Sequence, residues 1–166
     1  MSTITKQTQE VLLKTKQVKT YTYEQVLESS ISYFNGDKLA ATTWMNKYAM
    51  KDNSGEFVEL SPNDMHKRMA KEFGRIEADY KLKYNLNGSA KFLSEYGKER
   101  EDLTEQKIYN LFKDFGYIIP QGSVMSSLGN HYKLASLSNC IVVPEMHDSY
   151  GGVFYTDQQL AQLFKR

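Results

Sequence analysis

By type, the most reactive side chain of the sequence is Cys140, because a thiolate is both nucleophile and redox group. It follows Ser138 and Asn139 in a stretch, Leu134 to Val143, whose residues favour β-structure. The plainer reading is a buried structural thiol, the usual state of a free cysteine. A redox role needs a second thiol within disulfide reach. Cys140 is the only cysteine here, so that partner would come from elsewhere. Upstream, Pro120-Gln121-Gly122-Ser123-Val124-Met125-Ser126-Ser127-Leu128-Gly129-Asn130 is rich in hydroxyls and glycines. Such a loop can offer N–H groups and hydroxyls to a phosphate, although ordinary surface loops share its composition.

Other candidate groups read as structural. His66, His131 and His147 share no metal-ligand spacing with one another or with Cys140, so they are expected on the surface or on helix faces, with no metal site. Lys98, Arg100 and Lys107 are interspersed with Glu99, Glu101 and Glu105, the pattern of a solvated face. Spacing alone yields no nucleophile–base pair.

The elements that must position these groups are mostly helical. Thr22 followed by Gln25 is a capping-box pattern, and Val26, Leu27, Ile31 and Phe34 recur behind it at helical spacing. Asn35-Gly36 ends that helix and Asp37 caps the next, which carries Leu39, Ala40, Trp44 and Tyr48 on roughly one side. Asp52-Asn53-Ser54-Gly55 is a turn signal. Ser61-Pro62-Asn63-Asp64 opens a third helix, with Met65, Met69, Phe73, Ile76 and Tyr80 as one apolar face. Thr104 opens another, with Ile108, Leu111, Phe112 and Phe115 inward. After Gly116 the character changes: Tyr117 to Pro120 and Leu134 to Val143 read as strands, with the loop between them. Thr156 is expected to cap a final amphipathic segment carrying Leu160, Leu163 and Phe164.

The totals narrow the class. A length of 166 residues suits one modest domain or part of a larger one. With 21 Lys+Arg against 20 Asp+Glu, no large basic field exists for nucleic acid or an anionic membrane. A single cysteine rules out an internal disulfide and points to a reducing, cytoplasmic setting. The polar start, Met1 to Thr20, lacks the apolar stretch of a signal peptide, and no 18-residue apolar run occurs.

Several strings resemble a known family. Tyr33-Phe34-Asn35-Gly36-Asp37-Lys38-Leu39-Ala40-Ala41, then Trp44 and Asn46-Lys47-Tyr48-Ala49, resembles the opening of bacterial ribonucleotide reductase catalytic subunits. So does Ser61-Pro62-Asn63-Asp64-Met65-His66-Lys67-Arg68. Ile119-Pro120-Gln121-Gly122-Ser123, Ser136-Leu137-Ser138-Asn139-Cys140 and Asp148-Ser149-Tyr150-Gly151-Gly152 follow in the family's order and spacing. The resemblance implies an α+β to α/β fold. Behind a lead over residues 1–20, a helical domain spans 21–116, and 117–166 begin a ten-stranded α/β barrel that stays incomplete in this chain.

By the same resemblance, the protein is part of a ribonucleoside-diphosphate reductase that reduces ribonucleotides through radical chemistry and is not active alone. Cys140 matches the first of the two redox cysteines, later reset by thioredoxin or glutaredoxin. Ser123, or Gly122 beside it, resembles the position that holds the substrate phosphate. Ser138 and Asn139 match positions lining the substrate pocket, Asn139 replacing a serine found in some members. Asp148, Ser149 and Tyr150 match the start of the site where a dNTP or ATP effector binds at the homodimer interface. The segment itself is expected to bind no cofactor. The complete enzyme would draw its radical from a metal-containing small subunit or from adenosylcobalamin. The twenty leading residues are too few for the family's ATP cone, and the radical cysteine and second redox cysteine are expected in the remainder of the catalytic subunit. The rival expectation is a non-catalytic module that docks on an intact reductase.

Overall fold

The computed structural model describes residues 19–86, 94–99 and 101–165. The expected lead therefore lies, apart from Lys19 and Thr20, outside the described residues. So do the side chains of Lys98 and Arg100. Contacts divide the chain into two compact units that meet in sequence between Pro62 and Asn63.

In the first unit, α1 (Tyr23–Tyr33) starts as its sequence dictates: the Thr22 hydroxyl accepts the Gln25 N–H and the Gln25 side chain accepts the Thr22 N–H. Asp37 caps α2 (Lys38–Lys47) by accepting the Ala40 N–H at 2.9 Å. The inward stripe of α2 is Ala41, Trp44 and Met45, while Leu39 is largely exposed. The core therefore lies one step round the helix from the expected face, because Trp44 and Met45 supply the larger contact. Beyond α2, Asp52 Oδ1 accepts the N–H groups of Ser54 and Glu56 and closes the turn there. Phe57 is buried and bridged by Tyr21 and Lys51. Buried Glu59 reaches back to accept the Met50 N–H at 2.8 Å.

The second unit is organised by α3 (Pro62–Leu86), followed by the short α4 (Glu95–Glu99) and by α5 (Glu105–Phe112). Thr104 caps α5 by accepting the Lys107 N–H. Met65, Met69 and Ala70 of α3 are fully buried, as nearly are Ile108 and Phe112 of α5. Phe73 meets Phe112 with ring centroids 5.8 Å apart. Tyr109 donates its hydroxyl proton to Asn63 at 2.5 Å. The apolar face of α3 is not buried along its whole length, since Tyr80 is about half exposed.

Past α5 the chain makes a 3₁₀ turn, Lys113–Phe115, with Asp114 and Phe115 at positive φ of 56° and 54°. Left-handed backbone is unfavourable for residues with a Cβ. Here the turn delivers the Phe115 ring edge-on to His66, centroids 4.6 Å apart. Residues 121–130, expected as a loop, instead form the short helix α6 (Gly122–Ser127), because Met125 and Leu128 sit three apart and both become buried. The last helix, α7 (Tyr150–Phe164), begins earlier than its pattern suggests. Ser149 is its cap, and Thr156 lies inside it, donating to the Gly152 carbonyl at 3.2 Å.

Residues 117–120 and 134–143, expected as the first barrel strands, have no regular structure, and the described residues contain no strand. A strand is stable only when neighbouring backbone satisfies its N–H and C=O groups. Leu134 and Val142 lie almost wholly in solvent. What the described residues form is a helical structure. None of its helices is long and apolar enough to cross a membrane.

Candidate functional site

The hydroxyl-bearing segment and the cysteine come together through one hydrogen bond. Ser123, in the first turn of α6, donates to the carbonyl of Leu137 at 2.8 Å. Leu137 immediately precedes Ser138, Asn139 and Cys140. The turn before them is fixed by Ser136, whose hydroxyl donates to the Ser138 carbonyl at 2.8 Å and accepts the Ser138 N–H at 3.2 Å. A side-chain hydroxyl here does what a second strand would otherwise do: it satisfies backbone groups in an irregular stretch.

Cys140 itself is an exposed free thiol, not a buried one. Its Sγ lies 3.8 Å from Asn139 Oδ1, a weak contact that turns the amide toward the sulfur. An exposed thiol can exchange with a disulfide or be oxidised, whereas a core thiol cannot.

Asp148, Ser149 and Tyr150 make a second group at the start of α7. The Ser149 hydroxyl accepts the Gly152 N–H at 3.0 Å, so this serine is committed to its helix. Asp148 and Tyr150 are exposed. Gly152 is required by close approach: a Cβ there would run into the backbone of His147.

His131 and His147 lie on the surface, while His66 occupies a helix face that is buried rather than exposed. Desolvation lowers its pKa from 6.5 to about 4, against a smaller opposing pull from Asp114. Burial follows from its place one residue after Met65, on the face of α3 that receives Phe115. Among the described residues no three His, Cys, Asp or Glu side chains converge as metal ligands would.

This helical architecture has a counterpart among known proteins. The family model of the ribonucleotide reductase all-alpha domain matches residues 34–131, 98 of the 166. The chain belongs to the ribonucleotide reductase family. It is an N-terminal portion of the reductase large subunit, and α2 to α6 fall within the match. The reductase match includes Ser123 and ends at His131, ahead of Cys140 and Asp148. No curated protein and no solved structure matches the chain.

One side chain important to the arrangement of this reductase domain escapes sequence reasoning. Arg68, a basic residue in a mixed helix, carries no local signal, yet its guanidinium donates to the carbonyls of Met125 and Leu128. The hint available in sequence was only its place in the Ser61 to Arg68 string.

Proposed function

We propose that this chain is the N-terminal part of a ribonucleoside-diphosphate reductase catalytic subunit, which turns ribonucleotides into deoxyribonucleotides for DNA synthesis. The observation that carries the reading is the family match over residues 34–131, which runs into the hydrogen-bonded stretch from Ser123 to Cys140. The first barrel strands of this reading are residues 117–120 and 134–143, pairing with backbone from outside this sequence. That backbone belongs either to the chain's continuation or to a complementary polypeptide.

The chemistry assigned to Cys140 is a two-electron reduction. The 2′ C–O bond of the ribose breaks and its oxygen leaves as water, while a C–H bond forms at the same carbon. Cys140 and a second thiol outside this sequence give up two electrons and two protons and become joined by an S–S bond. Thioredoxin or glutaredoxin then returns the pair to thiols by disulfide exchange. Exposure of Cys140 supports this role, because both substrate and reductant must reach the sulfur. Ser123 holds the substrate phosphate, and Ser138 and Asn139 line the pocket beside the thiol. Asp148, Ser149 and Tyr150 belong to the effector site at a homodimer interface, with Asp148 accepting from base or ribose. In this reading a metal-containing small subunit or adenosylcobalamin supplies the radical through other parts of the enzyme.

The test is Cys140→Ser in the complete enzyme, assembled with its radical source and thioredoxin. Multiple turnover should vanish while assembly, read by size-exclusion chromatography, stays intact. Unchanged turnover would sink the redox role of this cysteine.

A further inference from the structure

The geometry points to Arg68 as a positioning residue for the substrate-phosphate segment, an inference that rests on the role proposed for Ser123. Helix α6 has six residues, too few to hold its shape in water without tertiary support. Its burial at Met125 and Leu128 fixes one side of the helix but leaves rotation about that contact open. The last carbonyls of a helix have no partner within it, and its C-terminal end carries the negative end of the helix dipole. Arg68 answers both needs. Its planar fork spans two of these carbonyls, Nη2 donating to Met125 at 2.7 Å and Nη1 to Leu128.

The backbone beyond the helix is fitted to the same side chain. Gly129 sits at φ +73°, which lets the chain reverse directly after Leu128. A Cβ at that position would come within 3.0 Å of Arg68 Cγ and 3.5 Å of Glu72 Cβ. Gly129 therefore lets the α6 terminus approach α3 closely enough for the guanidinium to reach both carbonyls. At the other end of α6, Ser123 passes the restraint to Leu137, the residue before the Ser138–Cys140 run. One line of contacts thus joins the rigid core helix to the segment that holds phosphate and carries the thiol. Arg68 touches neither, so it sets where they stand and takes no part in the reaction.

The test uses the complete reductase containing this chain. Arg68→Gln should raise the KM for the ribonucleotide about tenfold, the scale for losing hydrogen bonds from a charged donor, and leave kcat within about twofold. Arg68→Lys keeps the charge but loses the fork, so it should fall between wild type and Arg68→Gln. Gly129→Ala should raise KM in the same way. Arg75→Gln, on the same helix but paired with Glu72 and Asp79, should leave KM unchanged. An unchanged KM in Arg68→Gln would overturn the inference, as would loss of KM and kcat together with the thermal midpoint. If Arg68→Gln does not fold, a wild-type KM in Arg68→Lys would overturn it instead. Ser123→Ala separates this failure from failure of the underlying reading. A raised KM there beside a normal Arg68→Gln removes only the positioning role, whereas no change in Ser123→Ala removes both.

Discussion

Two stretches of the second unit, residues 63–131 and 132–165, both carry large apolar side chains, and among the described residues they bury them to different degrees. In the first, Met65, Met69, Ala70, Ile108, Phe112, Met125 and Leu128 are buried. In the second, no residue of α7 is buried, and Leu134, Val142, Phe154 and Phe164 are each at least two-thirds exposed. The difference is one of backbone as much as of side chains. A helix satisfies its own N–H and C=O groups and needs only a face to cover. A strand-forming segment needs neighbouring backbone before its side chains can share a core. The described part of the first stretch thus has a core of its own, whereas the second leaves Leu134, Val142, Phe154 and Phe164 largely in solvent.

The comparison is broken most directly by truncating one side chain from each stretch. Met69→Ala should cost about 2–5 kcal/mol, since it removes a fully buried side chain and leaves a cavity. Leu134→Ala should change stability by less than about 0.5 kcal/mol, because the side chain is already in water. Urea denaturation of the chain followed by circular dichroism measures both. A comparable loss from Leu134→Ala would mean that the second stretch has a core of its own.

The same contrast explains what could be read from sequence. Helix starts were legible because capping is local: Thr22 with Gln25, Asp37 with Ala40 and Thr104 with Lys107 all form as their spacing suggests. The buried face of α2 differs from the expected one because a ten-residue helix with apolar residues on several sides leaves the choice to its neighbours. The 134–143 composition suits a strand, but composition carries no information about whether a pairing partner is present. At the site, the hydroxyls of Ser123 and Ser136 were visible as residue types, while their bonds to Leu137 and Ser138 depend on a turn with no short motif. The exposure of Cys140 runs against the habit of its type, and the reach of Arg68 across some sixty residues leaves no trace in local spacing.

Acid should separate the two stretches by a smaller amount. The folded chain holds His66 at a pKa of about 4, against 6.5 when unfolded, because burial disfavours the imidazolium. Below pH 6.5 the unfolded state binds the proton first, so the contribution of this neutral histidine is whole above that pH. It is lost as pH falls toward 4 and levels off below it. The loss is on the order of 3 kcal/mol. It should appear as faster amide exchange in α3 and α5, next to His66 and Phe115. His66→Leu should flatten the stability profile between pH 6.5 and 4. A profile unchanged by that substitution would mean the histidine does not carry the acid sensitivity of the helical core.

The smallest effect expected is also the sharpest, because it applies one chemical change on both sides of the comparison. Thr104 and Ser149 each cap a helix by accepting the N–H three residues on. Replacing either by alanine removes the same hydrogen bond, worth about 1 kcal/mol to its helix. In Thr104→Ala that loss should reach the whole domain, since α5 buries Ile108 and Phe112 and cannot fray without opening the core. In Ser149→Ala the urea midpoint should stay put, because α7 buries nothing and can loosen alone. The effect should instead show as faster amide exchange at Gly152 and Val153, the first donors of that helix. If the complete enzyme is then compared with the isolated chain, Ser149→Ala should begin to lower the global midpoint. That change would mean α7 has acquired the cover its apolar side chains lack here, and an unmoved midpoint would mean the helix stays uncovered even in the assembly.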